Sequence, residues 1–459
     1  MAHQPEGDQV TIDAASTSVF PKFLGRAYPN VDRGRGVWLH TTGGRRILDA
    51  CSGGAMAAGL GHGVEEIVDA AAAGLGGIVY YYAHHFTNLP QEELAARLVG
   101  LAPGMARVRF LSGGSEANET AVRLARQYHV DRGESDRWRV ISPAQAYHGA
   151  TMATLSLVGR PDLQAPFGPY LSEHLHIPPS TARFDPTGQA ALDALDEVLE
   201  KAGPESVAAF FCEPVSAASL PGYSPPSSFW EGLAERRDRH GFLVCFDEVV
   251  SGMGRTGSWF AYEGLPITPD IVTIGKLLGG GYFPLAATMC REPVYDALAG
   301  GSKDFDLGHT WDGAPLSCAV GKAVVDYIES HGLVERVARR GPGLLEELRA
   351  AVGDYAIVGE VRGRGFLLGI EYVDPRDGTS IPPGALGIAG RIDTGALDND
   401  LVVMSTHPNA DGYAGDQTVF APALTSTDEE LAQMIGRLES VVGEVDKTVR
   451  DILANGGKI

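Results

Sequence analysis

The sequence predicts an α/β fold, in which short buried strands alternate with helices around a central, mostly parallel sheet. Three observations carry this. Short apolar runs recur at RVRFL (107–111), WRVIS (138–142), VAAFFCEP (207–214), FLVCF (242–246) and IVTI (271–274). Their length and β-branched or aromatic content suit strands buried on both faces. Between and after them lie stretches of helical patterning at 90–101, 112–129, 189–202 and 333–352. The composition, 44% apolar and 21% charged with 59 glycines, is that of an ordinary α/β enzyme.

At 459 residues the chain is long enough for two domains, or for one large domain with an appendage. A formal net charge of −21, with no basic cluster to offset it, argues against a nucleic-acid partner. The five cysteines (51, 212, 245, 290, 318) form no CxxC pair, and three lie inside apolar runs. Reduced, buried thiols in a cytoplasmic protein are therefore expected. The opening MAHQPEGDQVTIDAAS has neither a basic nor an apolar signal region, so no secretion signal is expected. No uninterrupted apolar run is long enough to cross a membrane.

Taken in order, residues 1 to about 20 are polar and read as a loose tail. VWLHTTGGRRILDA (37–50) reads as a hairpin around a Thr-Gly-Gly turn. The aromatic and histidine-rich segment 80–88, YYYAHHFTN, reads as a seam at a subunit contact. His84 and His85 have no partners at metal-ligand spacing, so no metal is expected. After the strand 107–111, SGGSEANETAVRLARQYH (112–129) joins a glycine-rich turn to a patterned helix. Leu124 and Tyr128 share one face of it, with Arg123 and Arg126 off that face. Such a turn offers free backbone N–H groups and the positive dipole end to an anion, although many strand–helix turns contain Gly-Gly. Residues 160–190 read as an irregular excursion. The segment 309–330 begins as a loop and becomes a helix. In the C-terminal part, strands are expected near 355–358, 366–371 and 418–421, and helices near 384–399 and 427–453. Thr427 or Asp428 is expected to cap the last helix.

The stretch 242–276, FLVCFDEVVSGMGRTGSWFAYEGLPITPDIVTIGK, concentrates the chemistry. Its first strand ends in Asp247 and Glu248, and its second is followed by Gly275 and Lys276. Ligands of open α/β sheets sit beyond the carboxyl ends of the strands, where these two strands deliver an acid and an amine. Only seven of the 37 basic residues are lysines, and Lys276 alone directly follows a buried strand and precedes a glycine run. It is either a surface loop lysine or a Schiff-base lysine, desolvated enough to be nucleophilic. Pyridoxal 5'-phosphate (PLP) is the cofactor that requires such a lysine together with a carboxylate at its pyridine nitrogen.

DEVVSGMGRTG (247–257) and TIGKLLGGGYFPLAA (273–287) resemble the signature of the class III, or ω-type, PLP-dependent aminotransferases of PLP fold type I. The resemblance runs from about Pro21 to the C-terminal helix. It implies a large PLP-binding domain over 61–332, with its central, mostly parallel sheet flanked by helices. A smaller α+β domain would be built from both chain ends, 1–60 and 333–459. It also implies roles for particular residues. Asp247 would meet the pyridine nitrogen and Lys276 would carry the Schiff base. Val249 and Tyr147 would lie on opposite ring faces, with His148 nearby. Gly114 and Ser115 would hold the phosphate, and Glu213 would stand near Asp247. Thr310 would reach the phosphate of a neighbouring subunit, and the segment 80–88 would contribute to that neighbour's site. A homodimer or tetramer with shared active sites follows.

The implied activity is transfer of an amino group from an amine or amino-acid donor to a keto-acid or aldehyde acceptor. Racemases, an aminomutase and phospho-lyases of the same class are the alternative. A nucleotide-binding protein without PLP is a further one, but the turn at 112–115 lacks GxGxxG spacing. Four positions depart from patterns found in the family. Relatives that bind a substrate carboxylate through one arginine place it where this chain has Val419 or, in the amine–pyruvate group, near Ser405, although the loop 406–417 complicates that placement. The gate glutamate of relatives acting on ω-amino acids is Ala218 here. Some amine-specific relatives carry a bulky aromatic where this chain has Gly54-Ala55. A roomier pocket follows, unless that pair is a tight packing contact.

Overall fold

The computed structural model describes residues 11–406 and 412–455. Its centre is a seven-stranded sheet in the order Arg107–Leu111, Ala286–Cys290, Ile271–Ile274, Leu243–Asp247, Val207–Cys212, Arg139–Pro143 and Leu175–Ile177. Neighbours pair in parallel except at Ala286–Cys290, which runs against both of its partners. The sheet is thus mostly parallel, as expected.

Its apolar runs are continuous because both faces are covered. Along the two central strands, Phe210, Val244 and Phe246 enter one core cluster, while Ala209, Phe211, Leu243 and Cys245 enter another on the opposite face. Alternate residues of a strand point to opposite faces, so a sheet covered by helices on both sides needs apolar residues at every position.

Two further four-stranded sheets share part of this core, through Leu368, Ile370 and Phe420 in one and Leu48 and Leu401 in the other. One, in the order Val358–Arg364, Leu367–Tyr372, Gln417–Phe420 and Met404–Thr406, is antiparallel throughout. The other joins the chain ends: Leu401–Val402 pairs in parallel with Arg46–Asp49, and the expected hairpin continues through Trp38–Thr41 to Val31–Arg35. The long C-terminal helix Asp428–Ala454 starts at Thr427. That hydroxyl accepts from the Glu430 backbone while the Glu430 carboxylate accepts from the Thr427 backbone.

Three expectations need correction. Residues 1–10 of the expected loose tail lie outside the described residues, and Thr11–Asp13 is a strand paired with Ala27–Pro29. The excursion 160–190 contains the edge strand Leu175–Ile177, whose three residues are too few to show a period. The strand expected near 355–358 is Val358–Arg364, hidden by its polar sequence VGEVRGR. The strand expected near 366–371 is present as Leu367–Tyr372, and it pairs antiparallel with Val358–Arg364 across a turn at Gly365 (φ +61°). No helix among the described residues is long and apolar enough to cross a membrane.

Candidate active site

Five carboxyl ends of the parallel strands converge on one site. Arg107–Leu111 leads to Gly114 and Ser115, and Arg139–Pro143 leads to Tyr147 and His148. Val207–Cys212 leads to Glu213, Leu243–Asp247 ends on the acid itself, and Ile271–Ile274 leads to Lys276. This is the crevice position that open α/β sheets use for ligands.

Asp247 is buried and held on both oxygens. Oδ2 accepts from Asn118 Nδ2 at 2.8 Å and pairs with His148 Nδ1 at 2.9 Å, while Oδ1 accepts from the Val249 N–H at 3.0 Å. A carboxylate only accepts, so Nδ1 of His148 is the donor. Phe211 packs edge-on against the imidazole, with ring centroids 4.8 Å apart. Asn118 is the residue that the sequence reading missed. Its amide also donates to the His148 carbonyl oxygen at 2.6 Å, and its oxygen accepts from Thr273 Oγ1 at 2.6 Å. It stands one turn into the helix Gly114–Asp131. An asparagine inside a helix is unfavourable unless its amide finds partners, and that was the available signal.

Lys276 adopts a left-handed backbone, φ +46°, which costs a non-glycine residue of the order of 1–2 kcal/mol. Burial holds its amine below the ordinary lysine range. Asp247, Glu213 and Cys51 pull it back up, and Arg255 pushes it further down. Burial raises the Glu213 carboxyl to about 7. Glu213 accepts from the Ala217 N–H at 3.0 Å, Ser216 Oγ at 3.2 Å and the Tyr147 N–H at 3.5 Å. It therefore ties the strand 207–212 to the turn that presents Tyr147. Burial also raises the Tyr147 hydroxyl, with Arg160 pulling it down and Asp247 pushing it up.

Gly114 is required by close approach. A Cβ there would lie 2.9 Å from Val249 Cγ1, and one on Gly275 would lie 3.3 Å from the same atom. Ser115 Oγ accepts from the Ala150 N–H at 3.1 Å. Thr310 is exposed and lines a surface cavity with Tyr80, Tyr82, His84 and Arg109. The described residues show no hydrogen bond from Thr310 to the Asp247 group. Around it, Tyr80, Tyr82, Phe86 and Trp311 are exposed, and the rings of Tyr80 and Trp311 meet edge-on at 5.8 Å.

Arg255 is fully buried. It donates to the carbonyls of Pro422 and Phe366 and to Ser52 Oγ, joining the 247–257 stretch to the C-terminal sheet and to the loop 51–56. That loop runs through left-handed residues at Ser52, Gly53, Gly54 and Met56. The Asp49 carboxylate pins it by accepting from the N–H groups of Cys51 and Gly53. A Cβ on Gly54 would meet only Val402, at 3.8 Å, so the position has room. Val419 is buried in an apolar cluster with Cys51, Met56 and Leu367, and Ser405 Oγ bonds Thr418 Oγ1 at 2.8 Å. Neither place holds a cation.

The residues present suit PLP. A closely packed glycine stands at a helix N-terminus for the phosphate. A fixed carboxylate can face the pyridine nitrogen, and a buried amine is available for the aldehyde carbon.

Comparison with known proteins agrees. Residues 24–442 match the family described as Aminotransferase class-III. The aminotransferase YodT of Bacillus subtilis is 32% identical over 434 residues, covering 93% of this chain and 98% of its own. An amine transaminase from an uncultivated Pseudomonas species, solved with PLP bound, superposes with a TM-score of 0.84. It is 33% identical over 91% of this chain and 95% of its own. A thermostable omega-transaminase variant superposes at 0.87, 28% identical over 95% of this chain and 99% of its own. In it a tryptophan is replaced by glycine, engineered for the synthesis of enantiopure bulky amines. The chain belongs to the class III aminotransferases and is a PLP-dependent transaminase of their α/β fold.

Proposed function

We propose that this transaminase takes a bulky primary amine or amino compound as its donor and a keto acid or aldehyde as its acceptor. The observation that carries this is the open space beside Gly54, whose missing Cβ would meet nothing closer than 3.8 Å. Two further features support it. Val419 and Ser405 leave no arginine at either of the places where relatives bind a donor carboxylate. In the engineered neighbour, exchanging a tryptophan for glycine served bulky amines.

When bound, PLP supplies an electron sink conjugated to the substrate carbon. The chain's own residues do the rest. Gly114 and Ser115 receive the phosphate at a helix N-terminus. Val249 and Tyr147 enclose the ring plane, and Glu213 holds the turn that carries Tyr147. Asp247, fixed by Asn118, His148 and the Val249 N–H, keeps the proton on the ring nitrogen. Lys276 would hold the aldehyde carbon, and its amine, lowered by burial, would take a proton from the substrate carbon and return it.

The large domain spans 61–332, and the small domain combines 1–60 with 333–459. The enzyme works as a homodimer, or as a tetramer made of two such dimers, in which Thr310 and the segment 80–88 complete the neighbour's site. The exposed aromatic seam of Tyr80, Tyr82, Phe86 and Trp311 supports this, since such patches mark contacts between proteins. A cytoplasmic location fits five cysteines that are all buried and unpaired.

The test is a donor panel with pyruvate as acceptor, run on the natural chain and on Ala55→Trp. Branched and arylalkyl amines should be better donors than 4-aminobutyrate and ornithine, and the substitution should reverse that order. Efficient turnover of 4-aminobutyrate by the natural chain would overturn the reading.

A further inference from the structure

Any keto-acid acceptor brings a carboxylate into a site that has lost the family's two arginine positions. A buried carboxylate without a cationic or hydrogen-bonding partner is costly, so the binding group must come from elsewhere. Most nearby arginines are committed. Arg255 is sealed among carbonyl groups, Arg362 is buried against Glu371, and Arg364 donates to the Ala261 carbonyl.

Arg160 differs. It follows the short helix Met152–Leu157, and Gly159 beside it is wedged against the strand end that leads to Tyr147. A Cβ on Gly159 would lie 2.4 Å from Ala144 Cα, and the Gln145 N–H donates to the Gly159 carbonyl at 2.8 Å. The Arg160 side chain is 11% exposed. Its Nη1 reaches across to the C-terminal sheet and donates to Thr406 Oγ1 at 3.2 Å, on the strand that also carries Ser405. The other edge of the guanidinium lies against Asp162, with Nη2 to Oδ2 at 2.9 Å and Nε to Oδ1 at 3.4 Å. The positive charge is close enough to the Tyr147 phenol to favour its ionised form. Arg160 thus stands between the residue that faces the ring and the strand where relatives place their clamp.

We propose that Arg160 is the specificity-determining residue that binds the carboxylate of the keto-acid acceptor, through the Nη1 edge now facing the Thr406 hydroxyl. Asp162 orients the guanidinium from the far side. Its carboxylate is 38% exposed, so the pair is held weakly, and a substrate carboxylate can draw on the same charge. This arrangement separates the two substrates. The donor side opens beside Gly54 with no cation, and the acceptor's carboxylate is read from the large domain. The inference deepens the proposed reading by naming the group that recognises the acceptor, and it rests on that reading for the reaction itself.

The holoenzyme and its Arg160→Gln and Arg160→Lys variants test it, with one accepted amine donor and two acceptors, pyruvate and propanal. The expected result is a ten- to hundred-fold rise in KM for pyruvate in Arg160→Gln, the loss of one charge-assisted contact. The value of kcat should stay within about three-fold, propanal kinetics should be unchanged, and Arg160→Lys should recover part of the loss. Binding of propanoate, which cannot react, read from the absorption of the bound cofactor, should weaken in parallel. An unchanged KM for pyruvate, or an equal loss with propanal, would overturn the assignment. If Arg160→Gln does not fold, Arg160→Lys decides through the same propanoate titration. Weaker binding than in the natural chain supports the role of Arg160, and equal or tighter binding refutes it. Failure of bulky amines as donors would sink the donor reading alone, because the comparison of acceptors holds with any donor that is used.

Discussion

Exchanging Asp247 for asparagine changes one atom, yet the geometry makes it a severe perturbation. The carboxylate receives N–H groups on both sides: Asn118 and His148 on Oδ2, and the Val249 backbone on Oδ1. An amide can accept on one side only. With its oxygen toward Asn118 and His148, its NH2 meets the Val249 N–H, donor against donor, in a site that is 6% exposed. Leaving such a buried group unsatisfied costs about 1–3 kcal/mol, which should appear as lower stability of the apo protein in urea. The catalytic loss is larger. A neutral amide cannot keep a proton on the ring nitrogen, and removing one preorganised electrostatic partner typically costs about a hundred- to a thousand-fold in rate. The assay is a single turnover with an amine donor, following the absorption of the bound cofactor. Gly114, Ser115 and Lys276 remain, so the variant should still bind PLP. A rate within ten-fold of the natural enzyme, with cofactor bound, would refute the role given to Asp247. Unchanged urea stability would refute the donor-clash argument.

Three further outcomes are expected. Asn118→Leu leaves the Thr273 hydroxyl and the His148 carbonyl unpaired, and should destabilise the apo protein in urea by about 2 kcal/mol or more. Lys276→Ala and Thr310→Ala, each inactive alone, should regain activity when mixed and refolded, because one site of the mixed dimer has its own lysine and the partner chain's threonine. No recovery in proven mixed dimers would mean that each site is built from one chain. Burial raises Glu213 to about 7 from 4.5, so the native state holds that proton more tightly than the unfolded chain does. Its contribution is fully present below pH 4.5 and is lost as pH rises through 7, by up to about 3 kcal/mol. Glu213→Gln should flatten the urea stability of the apo protein between pH 5 and 7.5, and an unchanged slope would count against the buried acid.

The legible parts of the chain were those where one local pattern decides the structure. The central strands are apolar at nearly every position because helices cover both faces, and the helices 189–202 and 333–352 appear with the expected ends. The positions of Asp247 and Lys276 were legible because one ends such a strand and the other follows one by two residues. Strands whose side chains are polar were not. Val358–Arg364 belongs to the small sheet, and its partners lie in Leu367–Tyr372, so pairing rather than composition makes it a strand. The reversed strand Ala286–Cys290 has the composition of a parallel one, and only its register reveals its direction. Asn118 is a tertiary fact of the same kind. Its partners Thr273, Asp247 and His148 lie 30 or more residues away, and an asparagine one turn into a helix does not announce them.

Arg255 ties the 247–257 stretch to the C-terminal sheet and to the loop 51–56. Eight residues beyond the acid, the chain carries a guanidinium that finds backbone carbonyls at Pro422 and Phe366 and the Ser52 hydroxyl, with no carboxylate among those partners. Burial accordingly lowers it to about 10, and the charge that remains acts on its surroundings. Because Ser52 begins the left-handed loop that contains Gly54, the peg that fastens the C-terminal sheet also fastens that loop. The same charge reinforces burial in lowering the Lys276 amine, against the pull of Asp247 and Glu213. Replacing it with a shorter cation would therefore disturb two things together, the loop that contains Gly54 and the Lys276 amine. A neutral hydrophobic peg could close the domains just as well, but it would leave Lys276 more basic.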